Sequence, residues 1–426
     1  MSEVVITPAR NVAGSIRLPG DKSISHRYAM LAALAEGTTR LQNFSTGADC
    51  ASTLECLRAV GVSAAQENGS LLINGCDGKF TAPSAALDCG NSGSTMRMLS
   101  GILASQPFAC ELLGDESLSR RPMRRIIEPL LQMGANIDSR DGQAPLRITG
   151  RKLRGIEFRP KAASAQVKTC VLFAGLSAAG ETVVEEKLRT RDHGELALRA
   201  FGAQIDRQRN RVSIRGGQRL KAIEATIPGD ISSAAFFLCA AALFPKSNLI
   251  IDSVLLNPTR AVLLDVLIAL GVQINVLQVD EQHGELVGTI KIHGGQLGGL
   301  KISGGQAAAL IDEIPVLAAV APYTRDGIEV RDARELRVKE SDRLATVTRN
   351  LRAMGAEVTE FDDGLRVPGG QSLHGAEIDS EHDHRIAMAF TVAALRAEGD
   401  TLIRGADAAR VSFPGFYQTL DTVVER

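Results

Sequence analysis

Five glycines recur along this 426-residue chain at a nearly regular spacing, and no other feature constrains its fold more. Each closes a segment of the form Leu-x-x-x-Gly and precedes a strand-like stretch, the pattern of a helix that ends in a left-handed glycine. They are Gly61, Gly134, Gly202, Gly271 and Gly355, separated by 73, 68, 69 and 84 residues. Self-similarity at such a period predicts an array of equivalent structural units.

A second set of segments alternates with these glycines and predicts buried helices. Small apolar residues dominate the segments, and most are apolar on nearly all sides, which indicates burial all round. They cover 30–41, 99–112, 171–184, 237–250, 316–330 and 390–403. The two sets together predict an α/β fold of six units of about 71 residues, each with a buried helix, a more polar helix and strands.

A repeated tetrapeptide groups the six units into two halves. The sequence "LPGD" at 18–21 returns as "IPGD" at 227–230. We interpret the two copies as hinges between two domains of three units each. One predicted domain covers 21–227, and the other combines 1–20 with 228–426.

The overall charge and the cysteine pattern exclude several classes of protein. The chain has 48 Lys and Arg residues and 49 acids, a net charge of −1, which argues against general nucleic-acid or membrane-surface binding. The longest apolar run, 234–244, is too short to span a bilayer, and the N-terminus lacks a charged-then-apolar leader. Seven scattered cysteines without a Cys-x-x-Cys pair are typical of reduced thiols. We therefore expect a cytoplasmic protein.

The residues just before the predicted buried helices point to anionic ligands. A helix N-terminus presents unpaired N–H groups and the positive end of its dipole. Lys22, Arg27, Arg97 and Arg385 add full charges at such positions, and Gly93 lets the backbone approach a ligand closely. The first copy of the repeated motif continues "KSISHR", whereas the second is apolar at the three basic positions. We infer that the first copy binds a ligand and that the second is a structural joint.

Each of these residues also has a simpler interpretation. A single loop arginine is usually solvated, and a Gly-Asn-Ser-Gly segment is more often a turn than an anion site. The "GDKS" segment lacks the frame of a nucleotide-binding P-loop. Asp383 and His384 have no further metal-ligand spacing, so structural roles are favoured. Asp312 alone is equally well explained as a cap of the following helix.

Taken in order along the chain, eight motifs closely resemble the 5-enolpyruvylshikimate-3-phosphate synthase family, in a divergent bacterial branch. They are "LPGDKSISHR", "GNSGSTMR", "RRPM", "SAQVK", "TRDHGE", "DEIP", "LRVKESDR" and "DHRIAM". The resemblance implies a two-domain inverse α/β barrel of six βαβαββ repeats, three per domain, with buried parallel helices. It also implies transfer of the enolpyruvyl group of phosphoenolpyruvate to the 5-hydroxyl of shikimate 3-phosphate, without a metal or organic cofactor, by a protein that is usually monomeric and closes on its substrates.

The resemblance also implies the site residues. Shikimate 3-phosphate would contact Lys22, Ser23, Arg27, Ser164, Ala165, Gln166, Arg191, Asp312 and Lys339. Phosphoenolpyruvate would contact Lys22, Asn91, Gly93, Arg121, Gln166, Arg343 and Arg385. The catalytic residues would be Asp312, Glu340 and Lys22. Both substrates are multiply anionic, so fixed cations must offset their mutual repulsion.

The chain departs from the family pattern in few places. It reads "ARVSFPGF" where many members have a lysine shortly before the final Phe-Pro, so one phosphate contact is absent or supplied by Arg410. Because Gly93 has no side chain, we predict that the phosphoenolpyruvate mimic glyphosate enters the pocket.

Three rival functions fit the sequence less well. The sister transferase that acts on UDP-N-acetylglucosamine has Asn beside the first Lys and a reactive Cys in the second unit, but this chain has Ser23 and no Cys between Cys110 and Cys170. The RNA 3′-terminal phosphate cyclase would require a basic surface, and the balanced charge of this chain argues against one. A non-catalytic binder would not need Asp312 and Glu340.

Overall fold

The computed structural model describes residues 2–426, and these fall into two units. The central unit comprises Gly20–Ile227 and Gln282–Glu285. The discontinuous unit comprises the chain up to Pro19, Pro228–Glu281 and Leu286–Arg426. The two copies of the repeated tetrapeptide, at 18–21 and 227–230, lie beside two of these boundaries. No sequence signal indicated the grouping of Gln282–Glu285 with the central unit.

Helices and strands alternate along both units. The strands are β1 (Glu3–Ile6), β2 (Asn11–Arg17), β3 (Thr38–Gln42), β4 (Ser63–Glu67), β5 (Ser70–Asn74), β6 (Leu87–Asp88), β7 (Ala109–Leu113), β8 (Asn136–Arg140), β9 (Gln143–Thr149), β10 (Glu157–Phe158), β11 (Glu181–Glu185), β12 (Ile205–Gln208), β13 (Arg211–Arg215), β14 (Glu224–Thr226), β15 (Asn248–Leu255), β16 (Gln273–Gln282), β17 (Glu285–His293), β18 (Gly299–Ile302), β19 (Gly327–Val330), β20 (Thr359–Phe361), β21 (Gly364–Val367), β22 (Glu377–Asp379), β23 (Thr401–Arg404) and β24 (Val424–Glu425). The α-helices are α1 (Lys22–Leu34), α2 (Ala48–Ala59), α3 (Gly93–Leu103), α4 (Glu116–Arg120), α5 (Arg124–Gln132), α6 (Ala165–Gly175), α7 (His193–Ala200), α8 (Ile231–Ala242), α9 (Val262–Ala269), α10 (Gly304–Ala309), α11 (Ile314–Val320), α12 (Arg343–Ala353), α13 (His384–Ala394) and α14 (Phe416–Asp421). Short 3-10 helices cover Ala321–Tyr323, Arg334–Val338 and Ala406–Val411.

One strand pattern recurs in the small sheets of both units. In the central unit the orders are β14-β3-β5-β4, β6-β7-β9-β8 and β10-β11-β13-β12. In each, the first pair is parallel and the next two pairs are antiparallel. The discontinuous unit repeats this order in β18-β19-β21-β20. The predicted α/β fold of repeated βαβαββ units is therefore confirmed.

Distant strands close each unit. Strand β14 pairs with β3 across most of the central unit's sequence, and β2 pairs with β15 in the discontinuous unit. Strand β1 likewise completes the sheet of β22 and β23. The unit boundaries follow from this pairing, because a strand must join the sheet that supplies its hydrogen bonds.

The core of each unit is formed by the helices predicted to be buried. Helices α1, α3 and α6 occupy the central unit, and α8, α11 and α13 the discontinuous one. Every residue of α8 and α13 is buried, as their all-round apolar composition predicts. Across residues 2–426, no helix combines the length and apolar character needed to cross a membrane.

Side-chain caps fix where most of these helices begin. Asp21, Ser92, Ser164, Asp230 and Asp383 each accept a hydrogen bond from a backbone N–H of the first turn. Such caps satisfy donors that would otherwise be left unpaired at a buried helix start. The five recurrent glycines have positive φ values between 88° and 107°, which confirms their prediction as left-handed helix ends.

The glycine requirement can be tested at two positions of the discontinuous unit. Gly271 has a φ of +107°, and an added Cβ would lie 2.5 Å from the carbonyl oxygen of Gln296. Gly399 has a φ of +89° but no heavy atom within 4 Å of such a Cβ. We expect Gly399→Ala to lower the free energy of unfolding by about 1–2 kcal/mol through backbone strain alone. Gly271→Ala should cost about 1–3 kcal/mol more because a backbone atom must shift. Urea unfolding of both variants measures the difference, and equal losses would contradict the clash.

Candidate active site

The start of α1 carries the basic motif of the central unit. Asp21 caps the helix by accepting from the Ile24 N–H at 2.9 Å. Lys22, the first helical residue, places its Nζ 2.8 Å from Oδ2 of Asp49. Because this ion pair is only partly buried, it holds the ammonium group in a defined position while leaving it accessible to a ligand.

Arg27 lies one turn further along the same helix and is buried. Its guanidinium donates to the Ser23 carbonyl at 2.8 Å and to Thr169 Oγ1 at 3.1 Å, which joins α1 to α6. Its Nε has no hydrogen-bond partner among residues 2–426. Burial lowers the pKa of Arg27 to about 10, and the neighbouring charge of Arg191 adds to this effect, against the opposing influence of Glu195 and Asp21. Two close cations and a buried N–H without a partner suit an anionic ligand.

His26 is not part of this cationic set. The imidazole is fully buried, with Nδ1 2.7 Å from Thr53 Oγ1. Burial, and then the charges of Lys22 and Arg27, hold its pKa well below the usual 6.5. His26 is therefore a neutral core residue, unlike Lys22 and Arg27, the other two basic residues of the motif.

The start of α3 places Asn91, Gly93 and Arg121 together. Arg121 is buried and donates to Asn91 Oδ1 at 2.6 Å and to its carbonyl oxygen at 3.2 Å. Asn91 donates in turn to Asp115 Oδ2 at 2.7 Å. A Cβ on Gly93 would lie 3.0 Å from an Arg97 guanidinium nitrogen and 3.5 Å from one of Arg121. The absence of a side chain at Gly93 therefore keeps space in front of two arginines.

The start of α6 is tied directly to α3. Ser164 caps α6, and Ala165 is its first residue. Gln166 accepts from Arg97 at 2.7 Å and donates to Ser94 Oγ at 2.8 Å. These bonds fix the orientation of the Gln166 amide, so the first turns of α3 and α6 form one polar surface.

A buried ion cluster that the sequence motifs did not predict lies beside the first turns of α6. Lys168 Nζ lies 2.8 Å from both Glu186 and Glu195, and all three side chains are buried. Glu186 also accepts from the hydroxyl of Thr190, the residue before Arg191. The cluster thus anchors the loop that carries Arg191. A lysine inside an otherwise apolar helix was the signal that could have revealed it.

In the discontinuous unit, Asp312 lies between two cations. Its Oδ1 is 3.6 Å from Lys339 Nζ and 3.6 Å from a terminal nitrogen of Arg343. The alternative interpretation of Asp312 as a helix cap is wrong, because the residue at the cap position of α11 is Glu313. Burial lowers the pKa of Lys339, against the opposing effect of Asp312.

Arg343, at the start of α12, is buried among carboxylates. Its Nε lies 2.7 Å from Asp383 Oδ2, and one terminal nitrogen is 2.6 Å from Glu340 Oε2. Burial opposes the charge, but Asp383 and Glu340 outweigh this effect and raise the pKa of Arg343. Its other terminal nitrogen has no hydrogen-bond partner within the described chain. That nitrogen is the one facing Asp312.

Arg385 lies in the first turn of α13 and is held beside Asp312. It donates to the Asp312 carbonyl oxygen at 2.6 Å and lies 3.8 Å from Glu313 Oε1. Glu313 in turn contacts Ser232 and Arg260, both buried. No motif in the sequence marked Ser232, Arg260 or Glu313 as part of the site.

The sequence-predicted site residues divide between the two units. The central set is Lys22, Ser23, Arg27, Asn91, Gly93, Arg121, Ser164, Ala165, Gln166 and Arg191, and the discontinuous set is Asp312, Lys339, Glu340, Arg343 and Arg385. No group of three or more His, Cys, Asp or Glu residues between positions 2 and 426 is arranged to hold a metal ion. Repeated units that present fixed cations at buried helix starts are typical of proteins that bind small, multiply anionic molecules.

Comparisons with known proteins identify the family within this class. The family model described as EPSP synthase (3-phosphoshikimate 1-carboxyvinyltransferase) matches residues 6–420. The 3-phosphoshikimate 1-carboxyvinyltransferase of Koribacter versatilis is 65% identical over 427 residues, 100% of each chain. The enzyme of that name in Solibacter usitatus is 54% identical over 99% of each chain. A solved EPSP synthase from Acinetobacter baumannii has a TM-score of 0.88 and 40% identity, over 100% of this chain and 98% of that one. This chain belongs to the EPSP synthase family.

The neutral state of His26 predicts acid sensitivity. The folded protein keeps the imidazole neutral, whereas the unfolded chain takes up a proton below pH 6.5. Stability is therefore lost as the pH falls below that value, by about 1.4 kcal/mol between pH 7.5 and pH 5.5 for one such group. We expect this loss of unfolding free energy between pH 7.5 and pH 5.5 to disappear in His26→Gln, as measured by urea unfolding at the two pH values. An unchanged pH dependence in the variant would contradict the assignment.

Proposed function

We propose that the protein transfers the enolpyruvyl group of phosphoenolpyruvate to the 5-hydroxyl of shikimate 3-phosphate and releases inorganic phosphate. The observation that carries the proposal is the carboxylate of Asp312, placed 3.6 Å from both Lys339 and Arg343. A carboxylate held in a fixed position can accept a proton from a hydroxyl group that a bound substrate brings within hydrogen-bonding distance. Membership of the EPSP synthase family supplies the identity of that hydroxyl.

Shikimate 3-phosphate is proposed to bind at the starts of α1 and α6 and at Asp312. Its binding residues would be Lys22, Ser23, Arg27, Ser164, Ala165, Gln166, Arg191, Asp312 and Lys339. The pairing of Arg27 with the nearby charge of Arg191 supports a phosphate at this position, because a dianion relieves the repulsion between them. The backbone N–H groups at the start of α6 would add further donors.

Phosphoenolpyruvate is proposed to contact Lys22, Asn91, Gly93, Arg121, Gln166, Arg343 and Arg385. Arginines suit its carboxylate and phosphate because two parallel N–H groups match two oxygens. The Arg343 nitrogen that lacks a hydrogen-bond partner in residues 2–426 is one candidate donor. Each arginine is held by protein acceptors, which reduces the ordering cost of binding.

The proposed reaction is an addition followed by an elimination. In the addition, Asp312 takes the proton of the 5-hydroxyl, and the hydroxyl oxygen bonds to C2 of phosphoenolpyruvate. Glu340 delivers a proton to the methylene carbon C3. In the elimination, C3 returns a proton to Glu340, the C2–O bond to phosphate breaks, and the C2–C3 double bond re-forms. The proton held by Asp312 passes to the departing phosphate, so both side chains return to their starting protonation states. Lys22 and the arginines would stabilise the negative charge on the departing phosphate.

We further propose a monomeric protein of the cytoplasm. The balanced charge and the seven free cysteines support this location.

The activity is tested by incubating the protein with both substrates and measuring phosphate release and the mass of the product. Omitting either substrate should abolish phosphate release, and UDP-N-acetylglucosamine should not replace shikimate 3-phosphate. Asp312→Ala should lower kcat by about 10²–10⁴-fold, the usual contribution of a positioned general base, while substrate binding persists. Turnover within tenfold of the wild type would remove Asp312 as the base.

The role of Gly93 is tested by adding one methyl group. In Gly93→Ala the Cβ would lie 3.0 Å from Arg97 and 3.5 Å from Arg121, so it would narrow the proposed phosphoenolpyruvate site. We expect the KM for phosphoenolpyruvate to rise about tenfold or more, the effect of overpacking a well-packed site, and inhibition by glyphosate to weaken. The KM for shikimate 3-phosphate is the internal control. An unchanged KM for phosphoenolpyruvate would contradict the placement, and a wild type insensitive to glyphosate would contradict the open pocket.

A further inference from the structure

The second copy of the repeated motif is not only a structural joint. Asp230 caps α8 by accepting from the Ser232 N–H at 2.7 Å, in parallel with the cap that Asp21 provides for α1. Ser232 stands two residues after this aspartate, the position that Ser23 holds in the first copy. The Ser232 hydroxyl donates to Glu313 Oε1 and accepts from the Arg260 guanidinium. Both copies of the motif therefore place a residue in contact with charged side chains at the start of a helix.

Glu313 connects this serine to the proposed active site. Its Oε1 receives the Ser232 hydroxyl and lies 3.5 Å from Arg260 and 3.8 Å from Arg385. Arg260, Glu313 and Arg385 are all more than nine-tenths buried. A single carboxylate oxygen thus lies between two buried guanidinium groups. Without it, two cations would repel each other in a region where water cannot screen them.

Arg385 is held by two consecutive residues. The terminal nitrogen that faces Glu313 also donates to the Asp312 carbonyl at 2.6 Å. An arginine fixed in this way loses little conformational freedom when it binds an anion. Arg260 lies 3.5 Å from the same Glu313 oxygen, so Arg260 helps to hold the carboxylate in place.

We propose that Glu313, Ser232 and Arg260 are positioning residues for Arg385, and that they act on the binding of phosphoenolpyruvate. This inference rests on the proposed function. Glu313 contacts Arg385, whereas Ser232 and Arg260 act through Glu313. The three set the orientation of the Arg385 guanidinium toward the carboxylate or phosphate of the substrate.

Steady-state kinetics of Glu313→Gln test the proposal. The substitution keeps the shape of the side chain and removes its charge, so Arg385 should leave its position. We expect the KM for phosphoenolpyruvate to rise about tenfold, because Arg385 would lose one charge-assisted hydrogen bond to the substrate. The kcat should stay within threefold of the wild type. Binding of shikimate 3-phosphate alone, measured by calorimetry, should stay within twofold. Ser232→Ala is the milder variant, for which we expect a rise of about threefold.

A double-mutant cycle separates Arg260 from a general structural role. If Arg260 acts through Glu313, the KM of the Arg260→Gln, Glu313→Gln double variant should rise much less than the product of the two single effects. Arg260→Lys should restore part of the loss because it keeps the charge. Glu377→Gln is the matched control, since it removes a carboxylate from an exposed ion pair with Arg404 in the same unit. It should leave both KM values unchanged.

The outcomes distinguish this inference from the proposed function. A wild-type protein that forms no product would refute the function itself. An active wild type whose Glu313→Gln and Ser232→Ala variants keep the wild-type KM for phosphoenolpyruvate would overturn the inference. Equal losses in shikimate 3-phosphate and phosphoenolpyruvate binding would also overturn it, because they indicate general disruption of the fold. Should Glu313→Gln not fold, Ser232→Ala alone decides, by the same KM comparison.

Discussion

A guanidinium group inside a protein requires acceptors around it, and this requirement organises both sets of charged residues. Arg343 is the clearest case, since it is buried and is stabilised by Asp383 and Glu340. Asp383 also caps α13 through the Arg385 N–H at 2.9 Å. One carboxylate therefore fixes a helix start and a buried cation at once. Any change in how α12 and α13 pack would alter the charge environment of the proposed base.

The sixfold repeat explains why such groups occur in both the central and the discontinuous unit. Every repeat buries an apolar helix, and a buried helix start needs a cap. Equivalent positions after the caps can therefore carry different side chains in different repeats. In the first copy of the motif, Lys22 and Arg27 are proposed to meet substrate, whereas Ser232 in the second copy supports Glu313 from behind.

Much of the fold and of the candidate site could be predicted from the sequence. The recurrent glycines and the all-apolar segments marked the helix ends and the buried helices correctly, because backbone conformation and burial depend on local composition. The motif order also identified the family, which the comparisons confirm. The sequence did not indicate the neutral state of His26 or the cluster of Lys168 with Glu186 and Glu195. These depend on which distant groups surround a side chain after folding.

The sequence by itself determined the period, the helix starts and the residue types available at each start, since these are properties of short segments. Only the tertiary structure decided how the charges pair. Glu313 faces Arg260 and Ser232, which lie 53 and 81 positions earlier in the chain. The same structure placed Gln282–Glu285 with the central unit, where Glu285 lies 2.7 Å from His193. The physical reason is that these buried pairs depend on how close folding brings groups that lie far apart in the chain, and no local pattern encodes that distance.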